Sequence, residues 1–279
     1  MRAIARYRGD CAAVPSFALG LCVRRVTAEV AATLDLASLR LLFDGAEPID
    51  AAAIDAFVER FGPSGVRREV VFPCYGLAEG TLIATGPPDD APPRVRSFDA
   101  AALRRGQATD AVESAVAVRH VSCGRPIPDS SLLVVDPATR VVCPAGLVGE
   151  IWLEGPSVAG GYWRDEAATN AAFGASTSDG RGAFLRTGDL GAVVDGDLYV
   201  IDRLKDLIIV AGKNHASADV ERTALTAHPR LHPGGVAAVS ATDADGRECL
   251  ALVLEVDPPH AASDGEAIVA AAAPDRPAP

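Results

Sequence analysis

Four short segments place residues with usable chemistry at fixed spacing. YGLAEGT (75–81) sets an aromatic, Tyr75, beside Gly76 and four residues before a carboxylate, Glu79. An aromatic face suits a flat purine, and a hard carboxylate oxygen suits a hard divalent cation. Read blandly, the pair is a core aromatic and a helix-start acid. FDGAEP (43–48) brings Gly45, Ala46, Glu47 and Pro48 after an apolar run. Its small and rigid residues let backbone lie close to a flat base, or they make a plain strand-end turn. In LRTGDLG (185–191), Asp189 follows Gly188. An ionised carboxylate there can accept two hydrogen bonds, or it is an ordinary turn aspartate. DRLKD (202–206) gathers Arg203, Lys205 and Asp206 into a charge run of the kind that usually faces solvent.

The elements that must position these residues are legible in outline. TAEVAATLDL (27–36) has a helical pattern, LRLLFDGAEPI (39–49) contains a short strand, and AAAIDAFVERF (51–61) spaces Ile54, Phe57, Val58 and Phe61 as one helix face. REVVFPCYGLAEG (68–80) is a further apolar run that breaks at Pro73 and Gly76. This alternation predicts part of a parallel α/β sheet. GPPDDAPPRVRS (86–97) reads as a proline-rich surface loop. From about 117 to 201 the helical pattern fades into short strands, with a hairpin at Asp195-Gly196, so this block is expected to be a small antiparallel barrel or sheet. After Leu204 come a strand and turn, a helix in ADVERTALTAH (218–228) and a second hairpin. The expected divisions are therefore 1–116, 117–203 and 204–258, followed by a tail, 259–279, whose composition predicts disorder.

A formal charge of −11 argues against nucleic acid as a partner. It does not exclude a nucleotide enzyme, because a local pocket with Mg²⁺ handles the phosphates. Cys11, Cys22, Cys74, Cys123, Cys143 and Cys249 form no CxxC and no ligand-like spacing with histidine, which reads as reduced, buried thiols of a cytoplasmic protein rather than a disulfide frame or zinc site. The first twenty residues contain no signal-like apolar core. No run approaches the ~20 apolar residues of a membrane span.

In order along the chain, FDGAEP, YGLAEGT, LRTGDLG and DRLKDLIIVAGKN (202–214) resemble the middle and late motifs of the adenylate-forming superfamily. That superfamily comprises acyl-CoA synthetases, peptide-synthetase adenylation domains and luciferases. ARYRG, PSFALGLC, VSCGRPIP, GEIWLEGPSVAGGYW and KDLIIVAGKNH look like its fatty acyl-AMP ligase branch, which passes activated acids to acyl carrier proteins rather than to coenzyme A. The resemblance runs from about Ile4 to Val256. It implies the rear part of a large N-terminal α/β domain with a small antiparallel β-barrel, plus a partial α+β C-terminal domain.

For the site, the resemblance implies ATP or AMP bound by Gly45, Ala46, Glu47, Pro48, Tyr75, Gly76, Asp189 and Arg203, with Tyr75 stacked on adenine and Asp189 accepting from both ribose hydroxyls. Glu79 would hold Mg²⁺, Lys205 and Asp206 would form a hinge, and Pro15, Ser16 and Phe17 would border the acyl pocket. Where the family pattern commonly has a histidine and a glycine pair before that proline, this chain has Cys11, Ala13 and Val14, which alters the expected tunnel. Residues from Arg94 onward match the extra segment of acyl-AMP ligases, implied to restrain the C-terminal domain. His215 matches a histidine of the branch, but none of the five histidines is expected to be catalytic.

Two family features have no counterpart. There is no Ser/Thr/Gly-rich loop ending in Pro-Lys-Gly to hold the β- and γ-phosphates, and no lysine lies beyond Arg247. The expectation is a fragment, truncated at both ends, of an ATP-dependent ligase that converts a fatty acid to acyl-AMP and pyrophosphate for an acyl carrier protein, and that is inactive alone. The alternatives are half of a split ligase completed by an N-terminal polypeptide, and a non-catalytic module that binds adenylate or a carrier protein.

Overall fold

The computed structural model describes residues 1–88, 91–113, 115–210, 213–228, 230–242, 248–256, 268, 269 and 271. The chain divides into two compact units, Met1–Ile201 and Asp202–Pro279.

In the first unit, helix α1 (Arg2–Tyr7) leads to strand β1 (Cys11–Val14), helix α2 (Ser16–Arg25), the single turn α3 (Ala28–Ala31), strand β2 (Leu41–Asp44), helix α4 (Ala51–Phe61) and strand β3 (Val71–Pro73). The three strands form a parallel sheet in the order β1-β2-β3, with Val14 opposite Asp44 and Asp44 opposite Pro73. Asp50 caps α4 by accepting from the Ala52 N–H at 2.8 Å. The helix face read from the sequence buries Ile54, Phe57 and Phe61 against Leu19, Leu36, Leu42 and Val71, with Val58 partly buried beside them. Each such side chain contributes about 1.5–3 kcal/mol on burial. Only Ala28–Ala31 of the expected 27–36 helix is helical. Thr33 hydrogen-bonds the Val30 carbonyl through its hydroxyl, a local competitor of the helix ladder.

Strand β4 (Thr85–Gly86) follows, then β5 (Val95–Asp99), helix α5 (Ala100–Arg104) and β6 (Ala117–Val121), which pairs antiparallel with β5. Residues 95–97 are thus strand rather than the end of a loop; Asp89 and Asp90, in the middle of that loop, lie outside the described residues. Strand β7 (Arg125–Pro126) pairs with β4. A four-stranded sheet then runs in the order β11-β10-β9-β8, built from β8 (Ser131–Val135), β9 (Gly149–Glu154), β10 (Leu185–Val194) and β11 (Asp197–Arg203).

Among the described residues this sheet is open, so of the barrel and the sheet expected over 117–203 the chain forms the sheet. The central strand explains why. Trp152 packs with Val135 and Phe184 on one face, while Ile151 and Leu153 pack with Tyr75, Leu185 and Leu198 on the other. Successive side chains alternate sides, and here both sides are filled by separate clusters rather than by one enclosed lumen. Asp195 (φ 52°) and Gly196 (φ 85°) both adopt the positive φ that a two-residue hairpin turn requires. The reading of this block as short strands omits one helix, α6 (Glu166–Ala172), capped by Asp165 accepting from the Ala168 N–H.

The second unit contains the antiparallel pair β12 (Ile208–Val210) and β13 (Lys213–His215), helix α7 (Ser217–Ala227) and the antiparallel hairpin β14 (Leu231–Thr242) and β15 (Glu248–Val256). The turns of both pairs, at 211–212 and 243–247, lie outside the described residues, as does the 259–279 tail apart from Ile268, Val269 and Ala271. No helix among the described residues is long and apolar enough to cross a membrane.

Candidate functional site

The three parallel strands end in register, and the chain leaves each end through one of the segments singled out above. Pro15-Ser16-Phe17 follows β1, Gly45–Pro48 follows β2, and Cys74-Tyr75-Gly76 follows β3. The carboxyl edge of a parallel sheet is where open α/β folds bind ligands.

Ser16 knots two of these segments together. Its hydroxyl donates to Asp44 Oδ2 (3.3 Å) and accepts from the Asp50 N–H (3.0 Å), while Glu47 Oε1 accepts from the Phe17 N–H at 2.5 Å. The loops that follow β1 and β2 are therefore one hydrogen-bonded unit. Phe17 itself is 58% exposed. Ala46 sits at φ 68°, a left-handed conformation that costs a non-glycine residue strain. A Cβ on Gly45 would lie 2.7 Å from the Cys74 carbonyl oxygen. The segments after β2 and β3 are thus in direct contact.

Asp44 is fully buried, and its Oδ1 has no hydrogen-bond partner. Burial pushes its carboxyl up to about 7, against the opposing hydrogen bond from Ser16 and with help from the charges of Glu47 and Asp50. The unfolded carboxyl titrates near 4. Between those values the folded chain holds a proton that the unfolded chain releases, so this group's contribution to stability falls as pH rises from about 4 to 7. The total is on the order of 4 kcal/mol. Asp44→Asn is expected to remove that component. Urea titrations at pH 5 and pH 8 should show the wild type losing more stability than the variant, and equal losses would refute the assignment.

Tyr75 is 8% exposed and donates its hydroxyl to Asp189 Oδ2 at 2.7 Å, joining two motifs that lie 114 residues apart. Burial, followed by the Asp189 charge, drives the phenol above its ordinary range, so it remains a donor. Little of the ring is open to solvent, and much of it packs in the cluster with Ile151, Leu153 and Leu198.

Asp189 is held by a bulge in β10 between Arg186 and Leu190. Thr187 donates its hydroxyl to the Ile151 carbonyl and accepts from the Asp189 N–H. Glu150, 2% exposed, organises the rest. Its Oε1 accepts from the Gly188 N–H (3.2 Å), and its Oε2 accepts from Trp152 Nε1 (2.8 Å) and from Arg186 (2.9–3.0 Å). Sequence reasoning passed over Glu150. The signal in the sequence was a carboxylate directly before the apolar run Ile151-Trp152-Leu153.

Glu79 lies on a single 3₁₀ turn, Ala78–Gly80, and its Oε1 accepts from the Tyr162 hydroxyl at 2.6 Å. That bond to a carboxylate, reinforced by burial, pushes the Tyr162 phenol up to about 12. Among the described residues no group of three or more His, Cys, Asp or Glu could cage a metal. One carboxylate on a turn fits Mg²⁺ that arrives on a nucleotide and keeps phosphate and water ligands.

In the second unit, the Arg203 N–H donates to Asp202 Oδ1, and Asp202 also accepts from the Ser217 N–H and hydroxyl, which ties the start of this unit to its helix. Lys205 and Asp206 are exposed in the turn that follows. Near the start of β5, Arg94 pairs with buried Asp197 at 2.9 Å, while Arg96 pairs with Asp110 and Asp195. Of the histidines, His120 is 8% exposed in β6 and lies opposite Arg96 in the β5–β6 register; His260 lies outside the described residues. Of the six thiols expected to be buried, only Cys123 is, while Cys11 is exposed and the other four are partly exposed.

Comparison with known proteins gives this geometry a family context. The sequence model described as "AMP-binding enzyme" matches residues 1–163. A medium-chain-fatty-acid–[acyl-carrier-protein] ligase, JamA of Moorena producens, is 40% identical over 261 residues, 92% of this chain and 44% of that protein. A 4-hydroxyphenylalkanoate adenylyltransferase of Mycobacterium marinum is 37% identical over 262 residues, 91% of this chain and 41% of its own. Among solved structures, a fatty acyl-adenylate ligase from L. pneumophila in complex with acyl adenylate and pyrophosphate superposes with a TM-score of 0.72 at 33% identity, covering 98% of this chain and 48% of that one. The chain thus spans less than half the length of these relatives.

Proposed function

The chain belongs to the AMP-binding enzyme family, and from that premise we propose that it carries the adenosine-binding part of an ATP-dependent ligase that activates a fatty acid as acyl-AMP for an acyl carrier protein. The observation that carries this reading is the Tyr75–Asp189 hydrogen bond beside the carboxyl edge of the parallel sheet. It sets an aromatic next to a carboxylate able to accept from two ribose hydroxyls. The names of the relatives support the acid and acceptor classes. The hydroxyphenylalkanoate relative makes an aryl-capped acid the first alternative to test within the same chemistry.

In this reading the carboxylate of the acid attacks the α-phosphorus of ATP, a P–O bond forms, and pyrophosphate leaves. Catalysis is positioning and neutralisation of charge. Asp189 and the Gly45–Pro48 loop orient the nucleoside, Glu79 takes the nucleotide-borne Mg²⁺, and Pro15, Ser16 and Phe17 border the acid. Arg203 serves the ribose and phosphate, and Lys205-Asp206 serves as the hinge between working parts 1–116 with 117–203 and 204–258. A cytoplasmic location is proposed with it.

These 279 residues have two lysines, Lys205 and Lys213, and no phosphate-cradling loop. Each charge-stabilising donor is worth roughly 3–4 kcal/mol, so the segment alone is expected to be silent in ATP–pyrophosphate exchange with fatty acids of medium and long chain. Exchange by the segment alone at ordinary enzyme rates would overturn this part of the reading. Exchange restored by adding a polypeptide that carries the phosphate loop would identify a split ligase. Binding of acyl-AMP without exchange under any combination would leave a binding module.

A further inference from the structure

We propose that Tyr162 is a positioning residue that holds Glu79 in place for a nucleotide-borne divalent cation. The inference rests on the assignment of Glu79 given above and adds a residue to it. A glutamate on a single, partly exposed 3₁₀ turn has rotamer freedom that ordering must overcome, and Mg²⁺ tolerates little deviation from octahedral geometry. Something must fix the carboxylate.

The loop that precedes α6 does so at three points. The Ala159 N–H donates to the Glu79 carbonyl (2.8 Å), the Thr81 hydroxyl donates to the Ser157 carbonyl (2.5 Å), and the Tyr162 hydroxyl donates to Glu79 Oε1 (2.6 Å). Tyr162 is itself held at both ends. Its backbone N–H donates to Thr169 Oγ1 within α6 (2.8 Å), and its ring packs edge-on against Phe173, with centroids 5.3 Å apart at 77°. The phenol, 40% exposed but anchored to Thr169 and Phe173, therefore links α6 to one carboxylate oxygen, and among the described residues no other group hydrogen-bonds the Glu79 side chain. Partners that orient a metal ligand in this way are typically worth 10–100-fold in metal affinity.

Tyr162→Phe keeps the ring and its packing while deleting the hydroxyl. The test titrates the full chain by calorimetry with AMP in the absence of metal, and with ATP in the presence and absence of Mg²⁺. Mn²⁺ water-proton relaxation serves as a second readout of the bound cation. The expected result is that Mg²⁺ tightens ATP binding to the unsubstituted chain, that Tyr162→Phe loses tenfold or more of that tightening, and that Glu79→Gln loses all of it. Metal-free AMP affinity stays the same in the unsubstituted chain and in Tyr162→Phe. A purely structural latch would instead lower the thermal midpoint and leave the Mg²⁺ effect intact, which overturns the inference, as does a stronger Mg²⁺ effect in Tyr162→Phe. If Glu79→Gln also keeps the Mg²⁺ effect, the Glu79 assignment falls first. If AMP does not bind the unsubstituted chain, the adenosine site itself is wrong.

Discussion

Replacing Glu150 with alanine is expected to lower the unfolding free energy by about 3–5 kcal/mol, the range for removing one partner of a buried ion pair. Glu150 is 2% exposed and accepts from Arg186, Trp152 and Gly188 at once. Its loss strands a guanidinium whose side chain is 27% exposed, and an indole N–H inside the sheet. The Gly188 amide also loses its acceptor, so the bulge that presents Asp189 is released. Urea denaturation and AMP titration of Glu150→Ala should therefore fail together. Replacing both partners, Glu150→Leu with Arg186→Met, should recover much of the stability, because a packed apolar pair often equals a buried ion pair, without recovering the AMP titration. A loss below about 1 kcal/mol in the single variant would show that the pair is better solvated than its burial implies.

Gly76→Ala carries the other large effect. An added Cβ would lie 1.5 Å from the Leu82 carbonyl oxygen and 2.9 Å from the Ile83 Cα. The loop cannot easily yield. Its ends are pinned where Ala84 and Thr85 donate to the Tyr75 carbonyl and Tyr75 donates back to Thr85, and Thr81 and Leu82 already occupy positive φ. Overpacking typically costs 1–3 kcal/mol. Overlap with pinned backbone should reach at least about 3 kcal/mol and displace Tyr75 from Asp189. Chemical denaturation measures it. Stability within about 0.5 kcal/mol of the parent, the range of an inert surface change, would mean that the loop is looser than this packing implies.

What the sequence revealed and what it hid divide along a physical line. Local signals were legible. The Ile54–Phe57–Phe61 face appears as the buried side of α4, and Asp195-Gly196 makes its hairpin turn, because each is decided within a few residues of chain. The segments ending β1, β2 and β3 could be singled out because their residue types suited a ligand. Their meeting at one sheet edge depends on a parallel register that periodicity does not specify. The partnerships were invisible for the same reason. Glu150 finds Arg186 36 residues away, and Tyr162 finds Glu79 83 residues away, and neither residue type announces its partner. Asp44 is a related case. In the sequence it is one more acid before a glycine, and only its enclosure gives it a titration near neutrality. Strand patterning over 117–203 left barrel and sheet as alternatives, because it reports which side chains are buried and cannot report whether the two faces belong to one cavity or to two clusters; among the described residues the four-stranded sheet is open.

The central claim is that adenosine binds at the Tyr75–Asp189 pair, and the most direct measurement is calorimetric titration of a non-hydrolysable acyl-sulfamoyl adenosine into the chain and two variants. The expected result is saturable binding that weakens by tenfold or more in Asp189→Ala, which loses the acceptor for the ribose, and far less in Tyr75→Phe, which keeps the carboxylate and the ring. No binding to the unsubstituted chain, or equal binding by all three proteins, would contradict it.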